Sequence, residues 1–151
     1  MISGVNHLGI AVRDLDASAA LFQKIFRVEH LHRERVEAQG VEVASFKVGD
    51  VLIELTAATN ADSPIAKFIE KRGEGIHHVA FTTDAVNDEL ARLGGEGVQL
   101  INQTAERGAH DMLIAFLHPK STNGVLMELC EPSGKPDGKP HGEPHGEPHI
   151  K

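Results

Sequence analysis

The sequence predicts an α+β fold built from two βαβββ modules, on three observations. The pentapeptide VLIEL (51–55) returns 74 residues later (125 − 51 = 74) as VLMEL (125–129). An alternating strand opens each half, NHLGIAV (6–12) and then IHHVAFTT (76–83). Each of these strands runs into an aspartate and a stretch of helical periodicity. Self-similarity at such a spacing is the signature of a duplicated unit.

The elements follow in order. In the first strand, His7, Gly9 and Ala11 alternate with Leu8, Ile10 and Val12, which is the period of a β-strand. Asp14 or Asp16 can cap the next helix, which carries Leu15, Phe22 and Ile25 on one face. Strands are expected around 28–36, at 41–48 (VEVASFKV) and at 51–56, with turns at Gly40 and Gly49-Asp50. SPIAKFIEKRGEG predicts a linking helix over 63–73, with Ser63 as cap, Pro64 in its first position and glycines at its end. In the second half Asp84 is expected to cap a helix in which Val86, Leu90 and Leu93 share a face and Gly94-Gly95 end the run. Strands near 98–105, 111–117 and 124–130 complete it. This gives one domain over 1–131, with module one at 1–58 and module two at 74–131.

Residues 132–151 read differently. Prolines 132, 136, 140, 144 and 148 fall four apart, and Ile150 is the one large apolar residue. Such a segment cannot bury enough surface to offset its ordering entropy, so it is expected to be a disordered tail. His141, His145 and His149 go with it, outside any active site.

Composition excludes several classes of function. The net charge of −7 comes with no dense basic stripe, which argues against nucleic acid as a partner. Trp and Tyr are absent, which removes the usual platforms for stacking bases. No run of 18 apolar residues exists to span a membrane, and the N-terminus lacks the pattern of a signal peptide. One cysteine, Cys130, cannot form an internal disulfide and suits the reducing cytoplasm, where it reads as a small buried hydrophobe.

The chemistry lies in four polar residues on apolar strands. His7 to Glu54 spans 47 residues (54 − 7), and His78 to Glu128 spans 50 (128 − 78). Both pairs join the first strand of a module to its last. Taken singly, each histidine suits an ordinary surface or core position and each glutamate a solvent-facing strand. Taken together, under a pseudo-twofold axis, two imidazoles and two carboxylates meet in one cleft. A buried carboxylate needs compensation. A divalent cation such as Co²⁺, Mn²⁺, Ni²⁺, Fe²⁺ or Zn²⁺ suits the mixed N/O set and would bring its formal charge near zero. Of the adjacent His77 and His78, strand geometry lets only one face the cleft.

The stretches HLGIAVRDLDAS, QGVEVASFKVGDVLIEL, DSPIAKFIEKRGEGIHHVAF and RGAHDMLIAFLHPKSTNGVLMELCEP resemble methylmalonyl-CoA epimerases. Those enzymes are members of the vicinal oxygen chelate superfamily, which includes glyoxalase I. The resemblance covers essentially all of residues 5–132. It implies paired βαβββ modules in a curved mixed sheet around a metal cleft, and a homodimer. Its metal ligands fall on His7, Glu54, His78 and Glu128, with Co²⁺ as the foremost ion, and His77 is left with a supporting role. The implied reaction interconverts (R)- and (S)-methylmalonyl-CoA by α-proton abstraction, a metal-stabilised enolate and reprotonation on the opposite face. Several relatives carry a non-ligand glutamate on the third strand, where this chain has Val43, with Glu42 one position early. Some also have Gln in place of Glu54. Glu54 and Glu128 are therefore expected to form the acid/base pair, as the equivalent positions do in glyoxalase I, unless a bulge turns Glu42 into the cleft. For the CoA phosphates, Lys67, Lys71, Arg72 and Lys120 are candidates, with Ser121, Thr122 and Asn123 as donors. The alternatives are a glyoxalase I-type lactoylglutathione lyase and a non-catalytic small-molecule-binding module of the same fold. A ring-cleaving dioxygenase fits the ligand set less well.

Overall fold

One eight-stranded mixed sheet carries the chain, and its order shows how the two halves meet. The computed structural model describes residues 1–132. The first half comprises β1 (Ile2–Ala11), α1 (Leu15–Phe26), β2 (His32–Val36), β3 (Val41–Val48) and β4 (Val51–Ala58). After α2 (Pro64–Arg72), the second half comprises β5 (Gly75–Thr83), α3 (Val86–Gly95), β6 (Glu106–Arg107), β7 (Met112–Leu117) and β8 (Met127–Pro132). The sheet order is β2-β3-β4-β1-β5-β8-β7-β6. Outward from the centre, both halves give the same succession, with parallel β1–β4 and β5–β8 pairs and antiparallel neighbours elsewhere. The halves join through the antiparallel β1–β5 pair. The tail expected over 132–151 lies outside the described residues, except that Pro132 closes β8 opposite Met112.

Two helices cover the convex face. Asp14 caps α1 by accepting a hydrogen bond from the Ala17 amide. The helix packs Leu15, Ala19 and Phe22 on Ala44, Phe46, Ile53 and Leu55. Ile25, expected on that face, is 60% exposed, and Ala19 sits inward in its place. α3 packs Val86, Leu90 and Leu93 against Ala115, Leu117 and Leu129. Asp84 does not cap it; that carboxylate lies 2.6 Å from the Met1 ammonium. The cap comes from across the sheet, where Glu131 Oε2 accepts the Val86 amide at 3.0 Å. α2 starts as its sequence requires, with the Ser63 hydroxyl accepting from the Ile65 amide and Pro64 in the first turn. Its Ile65 packs with Ala11, Val41 and Val43 on the concave side.

Three strands are shorter than their apolar runs suggest. β2 begins at His32, because Val28 and Leu31 pack beneath α1 instead. The strand expected over 98–105 contracts to a single bridge between Leu100 and Leu117 and the two-residue β6. Here the Asn102 side chain takes the Phe116 amide at 2.8 Å, replacing a ladder partner and ending the pairing. β8 begins at Met127 rather than 124, since Asn123 (φ 56°) and Gly124 (φ 84°) turn the backbone left-handed just before it.

Candidate active site

The two first strands place their histidines by one rule. In the β1–β5 register His7 stands opposite Ala80, and Gly9 stands opposite His78. A small residue therefore faces each imidazole. A Cβ on Gly9 would lie 2.0 Å from His78 Cε1, so the ring fills the space that a side chain would need. The two last strands place the carboxylates equally regularly, with Gly9 aligned to Glu54 and Ala80 to Glu128. β4 and β8 flank the central pair, so the glutamates arrive from either side of it.

All four residues are buried, with His78 the most accessible at 8%. His7 Nε2 lies 3.0 Å from His78 Nε2, 2.9 Å from Glu54 Oε2 and 3.6 Å from Glu128 Oε1. His78 Nε2 lies 3.4 Å from Glu128 Oε2. Adjacent ligands around a first-row divalent ion bound at about 2.1 Å stand about 3.0–3.4 Å apart, so this spacing fits such an ion. The second Glu54 oxygen gives an independent indication. Oε1 is buried and makes no hydrogen bond of acceptable geometry, although His110 Nε2 is 3.2 Å away. A buried carboxylate oxygen with an imidazole contact but no hydrogen bond of good geometry has a lone pair that a cation would satisfy. The His7 ring orientation suits it too: Nδ1 donates to Asn6 Oδ1 at 2.7 Å, which leaves Nε2 as the nitrogen directed at the carboxylates.

The electrostatics separate the two glutamates. Burial pushes the Glu128 carboxyl up to about 7, with His7 opposing and Glu54 adding to the rise. Burial works the same way on Glu54, but contacts from His110 and His7 outweigh it and hold that carboxyl down at about 2. Burial depresses His78 to about 3 and His77 to about 4, so both rings are neutral at pH 7. His7 is also opposed by burial, yet the neighbouring Glu54 and Glu128 leave it raised above its ordinary value. Paired groups whose environments push them apart are suited to acid and base roles.

The structure corrects the reading of the adjacent histidines. The β1–β5 register shifts between Gly9↔His78 and Ile10↔Ile76, which leaves His77 as an extra residue in a bulge. Both rings consequently line the cavity, and His77 Nδ1 lies 2.9 Å from His78 Nδ1. On β3 the opposite holds. The β3–β4 ladder runs without a shift, so no bulge turns Glu42 inward, and Val43 lines the cavity. Cys130 is fully buried, donates to the Phe81 carbonyl and is pushed up to about 12 by burial, which keeps it a protonated thiol.

These groups sit in a cavity of about 310 Å³. Val36, Val41, Val43, Met112 and Ile114 give it an apolar wall around the polar floor. His77 and His78 also border a second cavity of about 420 Å³, lined by Lys67, Lys71 and Arg72 from α2 and by Pro119 and Gly124. Lys120 is not part of that lining, and the Ser121 hydroxyl accepts the Gln99 amide at 2.9 Å. The structure thus gathers His7, Glu54, His78 and Glu128, while Lys120 and Ser121 lie on the loop between Pro119 and Gly124 that borders the second cavity without themselves lining it. Sequence reasoning missed His110, whose Nε2 contacts Glu54 Oε1 and, at 3.2 Å, Ser45 Oγ. It also missed Gly9 as the residue that makes room for His78. A glycine inside a strand was the available signal for the second, and no local pattern marked the first.

Residues 6–116 match the model of the glyoxalase/bleomycin resistance protein/dioxygenase superfamily. An uncharacterized Bacillus subtilis protein is 42% identical over 130 residues, which cover 86% of this chain and 93% of that one. The ethylmalonyl-CoA/methylmalonyl-CoA epimerase of Cereibacter sphaeroides is 35% identical over 131 residues, covering 85% and 98%. A solved methylmalonyl-CoA epimerase in complex with methylmalonyl-CoA superposes with a TM-score of 0.84 at 35% identity, covering 89% of this chain and 97% of that one. The chain therefore belongs to the glyoxalase/bleomycin resistance protein/dioxygenase superfamily and, within it, to the family of the methylmalonyl-CoA epimerases.

Proposed function

We propose that the protein is a divalent-metal-dependent methylmalonyl-CoA epimerase that uses Glu54 and Glu128 as its acid/base pair. The observation that carries this reading is the placement of two buried carboxylates on either side of a buried histidine pair. Inverting a carbon centre through a planar intermediate needs one group to take the proton and another to return it on the opposite face. Glu54 and Glu128, arriving from opposite sides of the histidine pair, would be the two groups, one taking the proton and the other returning it. In the reverse direction the roles exchange. His7, Glu54, His78 and Glu128 would hold the metal, with Co²⁺ as the first ion to test. When bound, a divalent ion supplies Lewis acidity that favours the negative charge of a thioester enolate. His7 holds Glu54 in position, His77 orients His78, and the apolar wall shelters the reacting carbon from water. Glu42 takes no part, because its side of β3 faces away.

The acyl-CoA substrate would enter with its thioester in the first cavity and its phosphates near Lys67, Lys71 and Arg72. This places the anion beside α2, with Lys120 and Ser121 on the loop that borders the same cavity. The same proposal takes the enzyme as a cytoplasmic homodimer. No helix among the described residues is long and apolar enough to cross a membrane.

Deuterium wash-in tests the function. In D₂O, C2 of methylmalonyl-CoA should exchange its proton in the presence of the Co²⁺-loaded protein, and absence of exchange with and without added Co²⁺ would sink the proposal. Glu54→Gln should retain metal and lose exchange by a factor of about 10²–10⁴. Exchange at the wild-type rate in that variant would remove Glu54 from the pair.

A further inference from the structure

We propose that His32, Glu34 and His110 form a second cation site at the rim of the cleft, built for a zinc-class divalent ion. One nitrogen from each imidazole and one Glu34 oxygen lie within 4.8 Å of one another. The two rings are adjacent, with centroids 4.8 Å apart and planes tilted by 32°. His32 Nε2 is 3.4 Å from Glu34 Oε2, and the same oxygen accepts the His110 amide at 2.9 Å. Glu34 is thus fixed between both histidines. The backbone supports a built arrangement: His110 and the following Asp111 both adopt left-handed φ, 57° and 54°, in a short 3-10 turn over Ala109–Asp111. Non-glycine residues in that region cost energy and persist where something else holds them. Here the conformation brings a histidine from the second half against β2 of the first.

Two imidazoles and one carboxylate are the donor set of open zinc sites, in which a fourth position is left for water. Nε2 of His110 already faces Ser45 and Glu54, so Nδ1 is the nitrogen available to the rim ion. An ion held there is joined to Glu54 through a single imidazole. This site shares no ligand with the buried quartet, and its existence does not depend on the epimerase reading.

The test counts Zn²⁺. The full chain, with His141, His145 and His149 replaced by Gln so that the tail cannot contribute, is dialysed against Zn²⁺ alone beside the same protein carrying His32→Gln. His32 is solvent-exposed and lies outside both cavities, so the variant keeps the buried quartet. The parent should hold one Zn²⁺ more per chain than the variant, or bind that ion at least 100-fold more tightly. Equal counts and equal affinities in the two proteins would overturn the proposal. Co²⁺-dependent proton exchange should be equal in the two proteins, which places the lost Zn²⁺ at the rim; a variant that lost exchange together with the ion would place the missing Zn²⁺ in the buried quartet and overturn the proposal.

Discussion

At the scale of single residues, Glu128 sets how the protein handles protons. Its folded value, near 7, lies above that of an unfolded glutamate. The neutral form is therefore favoured by burial, and the associated stability is complete below about pH 4.5 and is lost as pH rises through about 7. Glu54 has the opposite sign. Held near 2, it contributes stability that is present above about pH 4.5 and lost as pH falls through about 2. A metal takes only the ionised carboxylate and the neutral imidazole. Binding of Co²⁺ to metal-free protein at pH 6 should therefore release protons from Glu128 and from the raised His7, and fewer at pH 8.5, where Glu128 is already ionised. Calorimetric titrations in buffers of different ionisation enthalpy measure the difference. Equal proton release at both pH values would show that Glu128 is ionised without metal, which contradicts the burial argument.

At the scale of elements, the site depends on two strands approaching closely enough for one ring to lie over the other's backbone. Gly9→Ala would put a methyl group into the His78 ring, with β1 fixed between β4 and β5. Overpacking of this kind costs about 1–3 kcal/mol, and tilting His78 should weaken Co²⁺ binding more than tenfold. Gly4→Ala on the same strand meets nothing within 4 Å and serves as the control. Urea unfolding and equilibrium dialysis on the pair decide the matter; indistinguishable variants would mean that the ring yields freely. The elements also show which parts of the fold the sequence made legible. α2 could be read in full because Ser63, Pro64 and Gly73 act within one or two residues of themselves. The cap of α3 could not, because its carboxylate comes from Glu131 on β8, 45 residues away. The bulge at His77 was hidden for a related reason: alternation describes a regular strand, and the extra residue is defined only by the partner's register. Of the candidate site, the quartet was legible because duplication repeats its spacing. His110 was not, since only the closed sheet brings it to Glu54.

At the scale of the whole molecule, two of the buried donors come from each half, on strands that meet only through β1 and β5. Chain duplication explains the shared topology, but nothing in the sequence says which edges join. In the folded protein, each half leaves one buried carboxylate and one imidazole in the shared cleft. A cation bound by all four would cross-link the halves, so metal should stabilise the molecule as a unit. At a free Co²⁺ concentration of 100 times its Kd the gain is about 2.7 kcal/mol, or roughly 10 °C in Tm for a domain of this size. Heating followed by circular dichroism, with Co²⁺ and again after chelation, should give one cooperative transition that moves as a whole. His7→Ala should abolish the shift without splitting the transition, because the β1–β5 pairing remains. A melt in which metal moves only one of two steps would place the ion within one half and break the four-residue arrangement. A single shifting transition lost with His7 would instead tie the metal, the two carboxylates and the closure of the sheet into one cooperative unit. In that unit Glu54 on β4 and Glu128 on β8 would be held at one separation, as the proposed proton transfer across two faces of a carbon requires.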